Sequence, residues 1–225
     1  MSGGLLQLAG AVVDLVHHIE HMPAAGEEVE TSRFMMTAGG GFNAMAAARR
    51  MGVPVTYGGM LGSGPLAEIA AQGIRSEGIA LPPSPRAAID QGSCAVIVDS
   101  TGERSFITHH GAERDVSLAH LRSLKAEDHA FALLTGYSLY KSGSASAFVA
   151  WLADLPRPPI LLFDPGPTVG FIPRATLESA LMRADWVSAN AEEARIMTGL
   201  ADPQAAAMAG CNIGAVCTRR LASAR

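Results

Sequence analysis

Aromatic side chains are scarce in this sequence, at 5% of 225 residues. Alanine is abundant, glycine numbers 24, and the hydrophobic fraction is 48%. That profile suits small-residue helices packed on a parallel sheet and disfavours a β-sandwich. Cysteine is also sparse. Cys94, Cys211 and Cys217 lack metal-site spacing, cannot all pair with one another, and lie among apolar neighbours, as reduced buried thiols do. No apolar run approaches the roughly 18 residues of a membrane span, and no basic n-region with a long apolar stretch opens the chain. A cytoplasmic protein is the expectation. Basic residues never gather into a run and the net charge is −4, so neither nucleic acid nor a membrane surface has electrostatic support as a partner. Internal repeats and low-complexity linkers are absent as well.

What is present is alternation. Strand-length apolar runs at Leu5–Val16, Val53–Leu61, Ala130–Thr135, Ile160–Phe163, Asp185–Ser188 and Ile213–Thr218 alternate with helical periods at Asn43–Met51, Leu66–Glu77, Ser117–Lys125, Ser144–Ala153, Arg174–Met182 and Ala191–Thr198. Gly78 is placed to close the second helix, and Pro82, Pro83 and Pro85 mark an extended connection. From residue 117 onward the βα rhythm predicts a parallel sheet. Two strands at Cys94–Asp99 and Arg104–Thr108, joined by Ser100-Thr101-Gly102-Glu103, break that rhythm and read as a separate hairpin laid over the sheet edge.

Ligands of parallel α/β sheets bind beyond the carboxyl ends of the strands. The polar residues expected there are Asp14, Gly39–Asn43, Gly62–Pro65, Asp164 and Asn190. Gly39-Gly40-Gly41 before a helix lets backbone approach a ligand, and Asn43 offers both donor and acceptor to neighbouring hydroxyls; the same run also reads as a turn with Asn43 as N-cap. Asp14 can accept two hydroxyls or cap a turn. His17 and His21 invite a metal reading, but Pro23 and Gly26 argue against a sustained helix and no further ligand is in register. Gly62-Ser63-Gly64-Pro65-Leu66-Ala67 has the dinucleotide form G-x-G-x-x-A, without the acidic residue expected after a second strand. Asn190-Ala191-Glu192-Glu193 reads as a capping box, and equally as a helix start that holds phosphate and hydrated magnesium.

Together and in this order, these segments resemble the ribokinase-like (PfkB-type) carbohydrate kinase family. The resemblance is carried by AGGGFNAMAAARRMGVPVTYGGMLGSGPLAEIAAQGIRSEGI, by DWVSANAEEARIMTG, and by CAVIVDSTGERSFIT, which is similar to the lid strands of the family. It implies a three-layer α/β/α core with a mainly parallel central sheet and a small β-strand lid, drawn from about 12–38 and 92–110, that often dimerises. It implies transfer of the ATP γ-phosphate to a sugar or nucleoside hydroxyl, with Mg2+. Carried over by position, Asp14, Gly39, Gly40 and Asn43 would bind substrate, and Asn190 and Glu193 would organise phosphate and magnesium.

Two departures follow. The family shows Asp where Gly64 stands and Gly where Ala67 stands. Its Gly-Ala-Gly-Asp loop, which supplies the catalytic base and an anion hole, occurs nowhere in the 225 residues, and the last strand runs into Arg219-Arg220-Leu221-Ala222-Ser223-Ala224-Arg225. The expectation is one incomplete domain over 1–225, truncated before the nucleotide-binding part, without turnover, since base and oxyanion donors contribute about 10²–10⁴-fold and 10²–10³-fold. A sugar-binding remnant that dimerises through the lid, and an NAD-binding oxidoreductase resting on residues 62–67, are the alternatives.

Overall fold

A computed structural model describes residues 3–81, 89–140, 143–155, 159–202, 204–206, 208 and 215–218. The prolines at 82–85, Cys211, the Cys217 side chain and the tail 219–225 lie outside the described residues. In chain order the strands and helices are β1 (Leu5–Gln7), β2 (Ala11–His18), β3 (Arg33–Gly40), α1 (Gly41–Arg50), β4 (Val55–Tyr57), α2 (Pro65–Ser76), β5 (Ser93–Val98), β6 (Arg104–His109), α3 (Leu118–Ser123), β7 (Phe131–Thr135), α4 (Gly143–Asp154), β8 (Ile160–Asp164), α5 (Arg174–Arg183), β9 (Trp186–Ala189), α6 (Ala191–Thr198) and β10 (Ala215–Thr218). The chain divides into two compact units, residues 1–9, 52–58 and 115–225 in the first and residues 10–51 and 59–114 in the second.

The first unit holds a six-stranded sheet in the order β10-β9-β8-β7-β1-β4, parallel at every pairing. Its strands are short, and β7, β8 and β9 alternate fully buried with half-buried or exposed positions. Leu6, Ala132, Leu134, Leu161 and Phe163 are completely buried, and Phe148 and Trp151 of α4 join the core. Each such large side chain contributes about 1.5–3 kcal/mol by leaving water. α4 packs against both α3 and α5. Ser117 caps α3 through its hydroxyl, which accepts from the His120 N–H at 3.1 Å. Among the described residues no helix is long and apolar enough to cross a membrane.

The second unit holds a four-stranded sheet, β3-β2-β5-β6, together with α1 and α2. β2 pairs antiparallel with β3 over eight residues, from Ala11↔Gly40 to His18↔Arg33, and parallel with β5, which forms the hairpin with β6. The Asp99 carboxylate shapes the hairpin turn by accepting from the Thr101 N–H (2.8 Å), the Thr101 hydroxyl (2.6 Å) and the Glu103 N–H (3.1 Å). α2 packs on β3 so closely that a Cβ at Gly73 would fall 2.6 Å from Ala38 Cβ.

Three local expectations change. The strand expected over Val53–Leu61 is confined to Val55–Tyr57, ahead of Gly58 and Gly59. The hairpin read at 94–108 is half of a larger sheet. The glycine run is not a turn: Gly39 and Gly40 are ladder residues of β3, and α1 begins at the next residue.

Candidate functional site

In the second unit, β2 places Asp14 in a cross-strand row with Thr37 of β3, Cys94 of β5 and Thr108 of β6. The four side chains share one face of the sheet, since directly paired residues do. The Thr108 hydroxyl donates to the buried Cys94 sulfur at 3.3 Å. The Asp14 carboxylate lies over Gly39, where a Cβ would fall 2.0 Å from Asp14 Oδ2. Glycine at 39 is therefore what makes room for the acid. Among the described residues the Asp14 carboxylate has no hydrogen-bond partner, and partial burial alone holds its pKa above the ordinary value of 3.8.

The strand-to-helix passage sits beside this acid. Gly40 turns the chain at φ 60°, ψ −128°, a conformation that β-carbon crowding denies to other residues. A Cβ there would also meet the Gly10 carbonyl oxygen at 3.0 Å, the same oxygen that accepts the Gly41 N–H at 2.9 Å. Gly40, not Asn43, occupies the N-cap of α1, and as glycine it has no side chain with which to cap the helix. Asn43 is the third helical residue, exposed, with no side-chain partner among the described residues. The histidines do not form a helical pair. His17 and His18 are successive residues of β2, so they face opposite sides, while His21 beyond the strand bonds Glu27 at 2.9 Å. Among the described residues no cluster of three His, Cys, Asp or Glu side chains is placed to hold a metal.

The glycine-rich segment 62–67 is already occupied. Asp90 aims its carboxylate at the start of α2, accepting from the Leu66 N–H at 3.2 Å and the Ala67 N–H at 2.8 Å. These are the amides that a pyrophosphate would need. Gly64, at φ 147°, ψ 179°, passes so near that a Cβ would fall 2.5 Å from Asp90 Cγ. A carboxylate thus stands beside position 64 although the residue there is glycine, and it caps a helix. Buried Gln91 fixes the same loop, accepting from the Gly62 N–H at 3.0 Å and donating to the Ala11 and Met60 carbonyls. Neither Asp90 nor Gln91 carries a local motif, and each acts on residues more than twenty positions away.

In the first unit, the carboxyl ends of β7, β8 and β9 open onto a cavity of about 250 Å³ lined by Thr135, Tyr137, Asp164, Gly166, Asn190 and Glu193, among others. Asp164 Oδ1 accepts the Gly166 N–H at 3.0 Å. Asn190 and Glu193 complete a capping box: the Asn190 side chain accepts from the Glu193 N–H at 2.9 Å, and Glu193 accepts from the Asn190 N–H at 2.9 Å. The Asn190 amide also donates to the second Glu193 oxygen at 2.8 Å. Glu193 is 8% exposed, so the pair holds the wall of the cavity rigidly. The structure therefore brings Asp164, Asn190 and Glu193 together in one unit and Asp14, Gly39, Gly40 and Asn43 in the other.

The pfkB family carbohydrate kinase profile matches residues 8–219, which takes in both groups of residues. The chain belongs to that family. An uncharacterised sugar kinase of Escherichia coli (strain K12), YegV, is 28% identical over 193 residues, covering 85% of this chain and 59% of the relative. The chain thus spans about three fifths of the length of the curated relative it matches. Solved structures share the fold, two of which serve as examples. Adenosine kinase from Sinorhizobium meliloti superposes with a TM-score of 0.82 at 17% identity, covering 97% of this chain and 75% of that one. Ribokinase from Thermotoga maritima does so with 0.77 at 18%, covering 96% and 71%. The parallel sheet flanked by helices is the ribokinase-like α/β architecture of the pfkB family.

Proposed function

We propose that this pfkB-family chain binds a sugar or nucleoside through Asp14 and serves phosphoryl transfer from ATP to one of its hydroxyls. One observation carries the reading: a half-buried carboxylate without a hydrogen-bond partner among the described residues, seated over a glycine that leaves it room. A carboxylate in that state accepts two hydroxyl hydrogen bonds, and a ligand that supplies them offsets the cost of its burial. The exposed Asn43 amide is available to a further hydroxyl.

Asp164, Asn190 and Glu193 are the residues that would hold magnesium and phosphate. The fit rests on an acceptor-rich wall: among the described residues, two carboxylates and no lysine or arginine line the cavity. Hard oxygen ligands of this kind suit a cation that keeps its water shell. Magnesium would neutralise phosphate charge there, and the chain's own part is to keep the wall fixed through the capping box. A cytoplasmic location goes with ATP use. A homodimer through a lid formed by the second sheet is supported by its exposed apolar side chains, Phe34, Met36 and Ile107 on one face and Met35 and Phe106 on the other.

A second reading has an observation of its own. The sequence contains no Gly-Ala-Gly-Asp run, so binding without turnover is what these residues support by themselves. A thermal-shift screen of sugars and nucleosides, with and without magnesium and ATP, followed by a coupled phosphorylation assay, separates the two. Protection with turnover favours the kinase, and protection alone favours the binding protein. If no sugar or nucleoside protects wild type better than Asp14→Asn, both readings fail.

A further inference from the structure

Thr135 ends β7 in direct register with Asp164, which ends β8, and both residues line the strand-end cavity. Its hydroxyl oxygen is buried and has no hydrogen-bond partner; among the described residues it is the one buried side-chain atom in that state. The polar atoms around it are engaged, Asp164 Oδ1 by the Gly166 amide and Asn190 and Glu193 by each other. An unpaired buried hydroxyl costs free energy that a valine of nearly the same shape would not incur. Strand propensity and packing are equally served by valine, so neither accounts for a hydroxyl here.

We propose that Thr135 is a ligand-contacting residue of this cavity, its hydroxyl donating to a phosphoryl oxygen that enters with a divalent cation. The inference rests on the phosphate reading of the cavity given above. Rotation of χ1 by about 120° carries the threonine hydroxyl to another staggered position, so it can be re-aimed by a change of rotamer without backbone movement. The chemistry is complementary. Asp164 and Glu193 attract the cation and repel a bare phosphate, while a neutral O–H donor serves a phosphoryl oxygen without competing for the metal.

The test measures binding by the full chain, with magnesium tripolyphosphate and magnesium ATP as probes, read as thermal protection against concentration. Thr135→Val is expected to leave the ligand-free melting temperature unchanged or higher and to weaken both probes about tenfold, the scale of one hydrogen bond to a charged group. Thr135→Ser, which keeps the donor, is expected to restore most of the affinity. Undiminished protection of Thr135→Val overturns the assignment. So does a fall in ligand-free melting temperature in both variants with unchanged affinity, the signature of a packing role. A wild type that neither probe protects overturns the phosphate reading and this inference together, while sugar protection measured alongside still reports on Asp14 separately.

Discussion

Restoring the family's acid at position 64 gives a sharp test of the arrangement around α2. In Gly64→Asp the new Cβ would fall 2.5 Å from Asp90 Cγ and 2.7 Å from Asp90 Oδ2, on a backbone at φ 147°. That region belongs almost to glycine alone and costs other residues about 1–3 kcal/mol. Two partly solvated carboxylates forced side by side add about 1–2 kcal/mol after screening. The single variant should therefore lose about 3 kcal/mol. Asp90→Gly should lose about 1–2 kcal/mol, because the Leu66 and Ala67 amides lose their cap. In the double variant the acid at 64 can cap α2 itself and the collision is gone, so only backbone strain remains. Urea unfolding followed by circular dichroism should show the double variant about 2 kcal/mol more stable than the sum of the singles. Effects that add within about 0.5 kcal/mol would refute the idea that the two acids compete for one place.

Asp14→Asn should abolish sugar protection and change the response to pH. Because burial raises the Asp14 pKa, the folded chain holds this proton more tightly than the unfolded chain does. The group's contribution to stability is therefore largest in acid and falls as pH rises from about 4 through the raised value; urea midpoints of the variant should lack that fall. Gly39→Ala should match the loss of sugar protection without altering charge, because its methyl displaces the Asp14 carboxylate; retained binding would argue that Asp14 is not the sugar ligand. Asn190→Ala should destabilise the chain by about 1 kcal/mol through loss of the cap, and abolish protection by magnesium ATP if Glu193 depends on its partner for position.

The βα rhythm of the first unit was plain in the sequence because each element carries its own signals. Helix α6 runs from Ala191 to Thr198 as expected, its start set by Asn190 and Glu193 and its end by Gly199 at φ 75°. Strand β3 carried no such signal. Arg33 through Thr37 are all exposed, so no alternation marks them, and pairing with β2 across eight residues is what makes them extended. Gly39 and Gly40 resemble a turn by composition, and tertiary pairing overrides that preference. Among the candidate site residues, Asp14 and the pair Asn190 and Glu193 could be picked out from chain position and spacing. Asp90 could not, since it reaches α2 from beyond a proline-rich connection. Nor could Thr135, whose distinction is the absence of a partner in three dimensions.

The seam between β3 and α1 has a mechanical consequence. No residue intervenes, and the Gly10 carbonyl clamps the junction through the Gly41 amide, so there is no slack between sheet and helix. Any twist imposed on the strands around Asp14 must turn the first coil of α1, and Asn43 with it, in the same stroke.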